Sequence, residues 1–450
     1  MIAVYYVLPK KARNFYLLLA DLVFYGWGEP VMVVLMLFSI VINYFAGRLI
    51  EKYDSEKKKK TVLLLSVIID LGLLGFFKYA GFITENLNII LPFVDIPAVS
   101  VPLPIGISFY TFQIMSYTID VYRRDTQAQK NIVAFGTYVS LFPQLIAGPI
   151  VRYRDVDRQL SGRKENVEQF ARGVRLFVLG LVKKVLIANP TGALWDTLRE
   201  TEDRGVLGAW IGVIAFSFQI YFDFSGYSDM ARGLGNMFGF EFAENFNYPY
   251  ISRSITEFWR RWHISLGTWF REYLYIPLGG NRRGKARTYL NLLIVWMLTG
   301  LWHGASWNFV LWGLYFGVIL IIEKLFLLKT LEKLPAFVSH IYSLLLIAFG
   351  WVIFYFSDDV GGIKAFAGFV PGLFSGGLIS ADALCAVKSS AFILIIALIA
   401  STPIIRSIYM KLRGRRGFIT AETAAIIILL ILSTAALVGE SYNPFLYFKF

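Results

Sequence analysis

The stretch TYLNLLIVWMLTGLWHGASWNFVLWGLYFGVILII, residues 288–322, decides the class of this fold. It contains no Asp, Glu, Lys or Arg, and His303 is its only readily titratable group apart from tyrosine. Uncharged apolar runs of 18 residues or more are typical of helices that cross a lipid bilayer. The run therefore predicts a helical membrane protein, and the rest of the chain carries the same signal.

Composition excludes a soluble or disordered chain. Of the 450 residues, 56% are hydrophobic and only 17% are charged, whereas soluble domains carry about 25% charged residues. The net charge of +13 comes from basic clusters between apolar runs, which predicts cytoplasmic loops facing anionic lipid and not a nucleic-acid surface. A single cysteine, Cys385, excludes an internal disulfide and a multi-cysteine metal site.

The apolar runs recur with short connectors, which predicts an all-α, polytopic protein of the cell membrane with a single domain over residues 1–450. The first eight residues form at most ~12 Å of helix and cannot cross the bilayer alone. About twelve candidate spans lie near residues 14–28, 30–50, 61–80, 86–107, 132–150, 168–190, 205–224, 288–302, 305–323, 338–357, 388–409 and 418–438.

His303 is the leading catalytic candidate. One helix over 288–322 would measure ~52 Å against a hydrocarbon core of ~30 Å, so we expect a break near Gly300, Gly304, Ser306 and Asn308 that leaves two pieces of about 15 residues. An ionisable group at membrane depth predicts function, and imidazole exchanges a proton near neutral pH. The alternative is a neutral histidine that makes one hydrogen bond between helices.

His263 is the second candidate. Phe258, Trp262, Leu266, Trp269 and Tyr273 recur every three or four residues, which predicts one amphipathic helix at the membrane interface. His263 falls at the margin of that stripe. A headgroup-level or capping role is equally compatible with this position. His340, at the entrance of a predicted span, is expected to be an ordinary surface residue.

Two further segments combine polar residues with glycine or proline. In residues 221–250, Asp223, Ser225, Tyr227 and Asp229 lie at the end of an apolar run. These side chains could line a polar vestibule, or they could form hydrogen bonds between helices. Residues 141–154 contain Gln144 between prolines and glycine, which predicts a broken or re-entrant segment. The sequence offers no convincing metal site or nucleotide-binding loop.

Several blocks resemble the membrane-bound O-acyltransferase family, most closely its bacterial alginate O-acetyltransferase branch. They are GISFYTFQIMSYTIDVYR at 106–123, FPQLIAGPI at 142–150, YFDFSGYSDMARGLG at 221–235, ENFNYPYISRSITEFWRRWHISLGTWFREYLYIPLGG at 244–280 and TGLWHGASW at 299–307. The resemblance implies about 11–12 transmembrane helices, with re-entrant and interfacial helices, around a central funnel. It also maps the two family histidines onto His303 and His263.

The resemblance implies transfer of an acetyl group from cytosolic acetyl-CoA across the membrane, with no bound cofactor. The acceptor would be a hydroxyl of a cell-surface polysaccharide or an exported SGNH-type acetyltransferase partner. The candidate substrate-binding residues are Gln144, Asp223, Ser225, Tyr227, Asp229, Trp259, Arg260, Arg261, Trp302, Ser306 and Asn308. The alternatives are transfer of D-alanyl or another acyl group from a carrier-protein thioester and, in a different class, transport of a glycan precursor.

Overall fold

The structure is a computed structural model that describes residues 1–97, 99–146, 148–439 and 445–446. All regular elements in these ranges are helices, which confirms the all-α prediction. The chain divides into two compact units. The first comprises Met1–Val174 and Ala231–Ala243, and the second comprises Arg175–Met230 and Glu244–Phe450.

The first unit is built on a buried aromatic and aliphatic core that includes Leu17, Met36, Ile114, Tyr117 and Phe135. Helices α2 and α3 approach α5 and α6 around this core. The helices are α1 (Ile2–Val7), α2 (Lys10–Gly28), α3 (Met32–Lys52), α4 (Glu56–Ile90), α5 (Ile107–Arg123), α6 (Ile132–Ser140), α7 (Phe142–Leu145) and α8 (Tyr153–Gly162). Helix α9 (Val167–Val182) begins in this unit and ends in the second.

The predicted span at 86–107 is wrong. Helix α4 continues without interruption through the boundary expected near residue 80 and ends at Ile90, and the described residues between Ile90 and Ile107 form no further helix. Four prolines, at positions 92, 97, 102 and 104, lie in the interval. Proline removes a backbone donor and disfavours helical conformation in the residue before it, so this interval cannot continue the helix.

The second unit contains the remaining helices and three π-helical turns. The π turns are Lys183–Ala188, Arg271–Tyr275 and Glu323–Leu327. The α-helices are α10 (Asn189–Glu200), α11 (Gly205–Met237, whose last turns belong to the first unit), α12 (Ile255–Arg261), α13 (Ile264–Phe270), α14 (Lys285–His303), α15 (Trp307–Ile322), α16 (Leu328–Leu331), α17 (Ala336–Tyr355), α18 (Gly362–Phe369), α19 (Ala381–Ser389), α20 (Ala391–Ala400), α21 (Ile404–Leu412) and α22 (Phe418–Val438).

Six helical stretches in the described ranges are long and apolar enough to cross a membrane. They are Met32–Lys52, Glu56–Ile90, Gly205–Met237, Trp307–Leu331, Ala336–Tyr355 and Phe418–Val438. The pair α19–α20, bent by 56°, makes a seventh if it counts as one span. This confirms a multi-pass membrane protein. The number is below the twelve candidate spans; the run 132–150, for example, is broken into the short helices α6 and α7.

Candidate active site

His303 ends α14, and the chain then turns sharply into α15. Gly304 and Ser306 are extended, and α15 begins at Trp307. The predicted break is therefore confirmed. The second piece is longer than predicted, because α15 continues through a π turn to Leu331 and gives an apolar stretch of 25 residues.

Close packing of α14 against α15 requires glycine. A Cβ atom added to Gly300 would lie 2.1 Å from the carbonyl oxygen of Phe309, and one added to Gly313 would lie 2.2 Å from that of Trp296. Real Cβ contacts do not reach such distances. The two glycines thus let the helix backbones touch and fix the position of His303 at the break.

Ser306 and Asn308 stabilise the turn itself. The Ser306 hydroxyl donates to the Asn308 side-chain oxygen. The Asn308 amide donates to the carbonyl oxygens of Ile353 and Phe354, at 3.1 and 3.3 Å, at the end of α17. Both residues are buried, and these bonds tie the break to α17, so the geometry favours a structural role for this pair.

Aromatic rings enclose the imidazole of His303. The centroid of the His303 ring lies 5.1 Å from the ring centroids of Trp302 and Trp312 and 5.2 Å from that of Phe354. His303 is 7% exposed, which places it at the edge of a buried space and not on the outer surface. An aromatic, water-poor surrounding strengthens electrostatic interactions with a reacting group.

A cavity of about 390 Å³ opens at His303. Its walls are mostly apolar, with His303 and Asp223 as the ionisable groups among the lining residues. These residues are Ile220, Asp223, Phe224, Trp262, His303, Trp312, Trp351, Phe354 and Leu446. Apolar pockets with a few convergent polar groups are typical of substrate sites.

Asp223 belongs to a buried ion pair on the cavity wall. Its Oδ1 lies 2.5 Å from the Lys184 ammonium, and its Oδ2 accepts the backbone N–H of Leu446 at 2.7 Å. The sequence indicates a role for Lys184 only weakly. Lys183 and Lys184 interrupt an apolar run, but Asp223 in α11 is remote from them in sequence. The carboxylate is therefore held by two strong contacts.

The neighbouring polar residues of α11 have separate environments. Asp229 pairs with Lys183 at 2.6 Å, and the Tyr227 ring contacts Phe445. Ser225 and Ser228 are buried, and their hydroxyls have no hydrogen-bond partner in the described part of the chain. Of this predicted vestibule, only Asp223 lines the cavity with His303.

His263 does not lie on a continuous amphipathic helix, and that prediction is wrong. The helix ends at Arg261, His263 adopts the left-handed conformation (φ 45°, ψ 54°), and α13 starts at Ile264. The Ile264 N–H donates to the Asn245 carbonyl oxygen at 3.0 Å, and the Asn247 N–H donates to the Arg261 carbonyl oxygen at 2.9 Å. Pairing with this distant segment replaces the helical hydrogen bonds and breaks the periodicity.

The predicted stripe is buried in protein and does not face lipid. Its five members, Phe258, Trp262, Leu266, Trp269 and Tyr273, all belong to the buried core. Trp262 is the member that reaches the cavity. The periodicity identified the buried face correctly but not what covers it.

The buried ring of His263 contacts Phe224, Phe246 and Trp302, with centroid distances of 4.8, 6.4 and 6.1 Å. His263 lies outside the six long apolar helices, and burial lowers its pKa to about 3. The ring is therefore neutral at physiological pH. Trp302 contacts both His263 and His303, so it lies between the two candidate histidines.

The remaining candidates divide by environment. Trp259 contacts Trp296, Trp312 and Phe316 and supports the aromatic wall. The guanidinium of Arg261 is engaged with Glu257 and the Asn247 carbonyl oxygen, whereas Arg260 is exposed.

The candidate Gln144 and the third histidine, His340, lie elsewhere. Gln144 belongs to the first unit, where its amide donates to the Tyr138 carbonyl oxygen at 2.8 Å. His340 contacts the Ser252 carbonyl oxygen and is not part of the cavity lining.

Comparison with known proteins agrees with this architecture. The model of the membrane-bound O-acyltransferase family matches residues 26–357. A probable alginate O-acetylase of Azotobacter vinelandii is 46% identical over 360 residues, covering 78% of this chain and 72% of the relative. A peptidoglycan O-acetyltransferase of Helicobacter pylori is 34% identical over 402 residues, covering 81% and 76%. A teichoic acid D-alanyltransferase of Streptococcus thermophilus is 30% identical over 240 residues, covering 50% and 58%.

A family model that spans most of the chain and a relative sharing nearly half its aligned residues are together decisive. They agree with the polytopic helical fold that the structure shows. The chain belongs to the membrane-bound O-acyltransferase family and is a multi-pass membrane acyltransferase.

Proposed function

We propose that this protein transfers an acetyl group from cytosolic acetyl-CoA across the membrane for O-acetylation of a cell-surface polysaccharide. The acceptor is the polysaccharide hydroxyl or an exported acetyltransferase that completes the transfer. The observation that carries the proposal is His303, whose imidazole lines an aromatic cavity at a break between two apolar helices.

In the simplest mechanism His303 is the general base. The acceptor hydroxyl oxygen attacks the thioester carbonyl carbon while the imidazole takes the hydroxyl proton. The C–S bond then breaks, and the CoA thiolate leaves and takes up a proton. In the alternative, an imidazole nitrogen attacks the carbonyl carbon, the C–S bond breaks, and the CoA thiolate leaves and takes up the imidazole proton. The acetyl-imidazole, which requires shielding from water, then passes its acetyl group to the acceptor hydroxyl, whose proton returns to the imidazole. The aromatic enclosure is compatible with both.

Asp223 is less suited than His303 to act as the base. One of its oxygens is held by the Lys184 ammonium and the other by the Leu446 backbone N–H. Both carboxylate oxygens are therefore engaged in contacts within the protein. We assign Asp223 to the wall of the site and the proton transfer to His303.

The cavity is small for an entire acyl-CoA. Its volume is about 390 Å³ even with the space open to solvent included, so we propose that it receives the acetyl group and the reacting atoms. Exposed arginines, among them Arg260, Arg282 and Arg283, would attract the phosphates of the donor from solution. Contact with lipid headgroups is an equally suitable use of these side chains.

Acetyl is preferred over D-alanyl as the transferred group. The probable alginate O-acetylase shares 46% identity over 78% of this chain, against 30% over 50% for the D-alanyltransferase. The transfer experiment uses purified protein in sealed vesicles with radiolabelled acetyl-CoA outside and a candidate polysaccharide inside. A parallel reaction supplies a D-alanyl carrier-protein thioester.

We expect CoA release with acetyl-CoA and label on the polysaccharide or on an added partner. Turnover with the D-alanyl thioester alone would contradict the acetyl assignment. Movement of a labelled glycan precursor into vesicles without thioester cleavage would replace the enzyme by a transporter.

A further inference from the structure

The side-chain oxygen of Asn245 gathers three groups around the break at His263. It lies 3.0 Å from the Ser265 backbone nitrogen, 2.9 Å from the Ser265 hydroxyl and 3.2 Å from Nδ1 of His263. A backbone N–H can only donate, so the Asn245 atom facing it must be the amide oxygen and not the amide nitrogen. This fixes the orientation of the Asn245 side chain independently of the histidine.

The tautomer of His263 follows from that orientation. An amide oxygen only accepts, so the Nδ1 atom facing it must carry the proton. In a neutral ring Nε2 then keeps its lone pair and is an acceptor. His263 is 2% exposed, and its Nε2 has no hydrogen-bond partner within the described residues.

The surroundings of the ring keep it neutral. The groups that face it are the rings of Phe224 from α11, Phe246 from the segment before α12, and Trp302 from α14. None of the three is charged, and burial is the cause that lowers the pKa of His263 to about 3. A buried, neutral ring with an unmatched acceptor is an incomplete hydrogen-bonding site.

We propose that Asn245 is a positioning residue that locks His263 as the Nδ1–H tautomer and presents Nε2 as the acceptor for a hydrogen-bond donor of a substrate. The donor group is an amide N–H of the acyl donor or a hydroxyl of the acceptor. The substrate contact of Nε2 rests on the proposed function, whereas the tautomer of His263 depends on the geometry alone.

The backbone around the site allows the side chain to be tested separately. The bonds from the Ile264 N–H to the Asn245 carbonyl oxygen and from the Asn247 N–H to the Arg261 carbonyl oxygen use no side chain. Substitution of Asn245 therefore leaves the pairing that holds His263 in its left-handed conformation. Asn247, two residues away in the same segment, is a matched control that contributes backbone bonds there.

The first measurement is nitrogen NMR of the full chain labelled with ¹⁵N-histidine, which has only three histidines to assign. We expect His263 to show a protonated Nδ1 and an unprotonated Nε2, unchanged from pH 8 to pH 5. A ring protonated at Nε2 overturns the proposal. This measurement needs no turnover, so it stands or falls separately from the proposed acetyl transfer.

The second measurement is the pH profile of acetyl transfer in two aspartate variants. Asn245→Asp keeps an acceptor oxygen but adds a negative charge that favours the imidazolium, so the His263 pKa rises. Because Nε2 of the imidazolium cannot accept, transfer should fall at least tenfold as the pH drops through that raised pKa and recover at higher pH. Asn247→Asp should keep the wild-type profile. Identical profiles for the two variants would overturn the assignment.

The third measurement identifies the substrate. Asn245→Ala should raise one KM at least fivefold: that of acetyl-CoA if the donor amide binds Nε2, or that of the polysaccharide if its hydroxyl binds there. Wild-type KM values for both substrates would refute the substrate contact.

Discussion

The buried ion pair on the cavity wall gives a sharp test of how the site is held together. Lys184 and Asp223 are 7% and 3% exposed in their side chains, and their charged atoms lie 2.5 Å apart. Removing one partner of such a pair costs about 3–5 kcal/mol, because the other charge stays buried. We expect Lys184→Met to lower the free energy of unfolding by about 3 kcal/mol, since the Leu446 N–H still contacts Asp223.

The adjacent pair is a matched control. Lys183 and Asp229 also form an ion pair, at 2.6 Å, but their side chains are 28% and 18% exposed. Pairs of this kind contribute about 1 kcal/mol or less, so Lys183→Met should have a much smaller effect. Replacing both members of the buried pair, as Lys184→Met with Asp223→Leu, removes both charges together. This double variant should lose less free energy of unfolding than Lys184→Met alone.

The assay is equilibrium unfolding of purified protein in mixed detergent micelles, followed by tryptophan fluorescence. It compares the wild type with the variants Lys184→Met, Lys183→Met and Asp223→Leu and with the double variant. We expect a coupling energy of several kcal/mol between positions 184 and 223. If the two single losses add within about 0.5 kcal/mol in the double variant, the positions are independent and the buried pair is not a unit. Equal losses for Lys184→Met and Lys183→Met would also refute the argument from burial.

Three further predictions concern the elements around the two histidines. Gly300→Ala places a Cβ against the Phe309 carbonyl oxygen and should cost about 1–3 kcal/mol in unfolding free energy and abolish acyl transfer, whereas Gly72→Ala, where space is open, should do neither. Glu323→Ala removes the carboxylate that accepts the backbone N–H and the hydroxyl of Thr256, at 2.8 and 2.6 Å. This substitution should lower the free energy of unfolding by about 2–4 kcal/mol, and Glu323→Gln, which keeps an acceptor oxygen, should lower it less. The pKa of His263 is about 3 in the folded protein, against 6.5 for a free histidine. As the pH falls, the unfolded state therefore binds the proton first, and the free energy of unfolding should fall by about 2–3 kcal/mol between pH 6.5 and pH 4.5. His263→Gln should lose less stability over that interval.

Sequence reasoning succeeded where the signal is local. Gly300, Gly304 and Ser306 mark the break after His303 within ten residues of the chain, and the structure breaks there. Glycine at a close helix contact is an intrinsic preference that needs no knowledge of distant partners. The position of the leading candidate could therefore be predicted.

The failures have long-range causes. The helix predicted through His263 is interrupted by backbone bonds that join Arg261 and Ile264 to Asn247 and Asn245, which hydrophobic periodicity within the segment cannot indicate. Lys184 meets Asp223 across 39 residues, in a run that sequence alone assigns to an ordinary span. The cavity wall formed by Trp312, Trp351 and Phe354 likewise requires the packing of α15 against α17.

The proposed function depends above all on the imidazole of His303, which we assign to the acyl transfer. The most direct test is label transfer from radiolabelled acetyl-CoA by wild type, His303→Gln and the control His340→Gln, each reconstituted to equal amounts of folded protein. We expect His303→Gln to lose at least a hundredfold in kcat, since general-base catalysis contributes about 10²–10⁴, while His340→Gln stays near wild type. Undiminished transfer by His303→Gln would show that the imidazole of His303 is not the catalytic group.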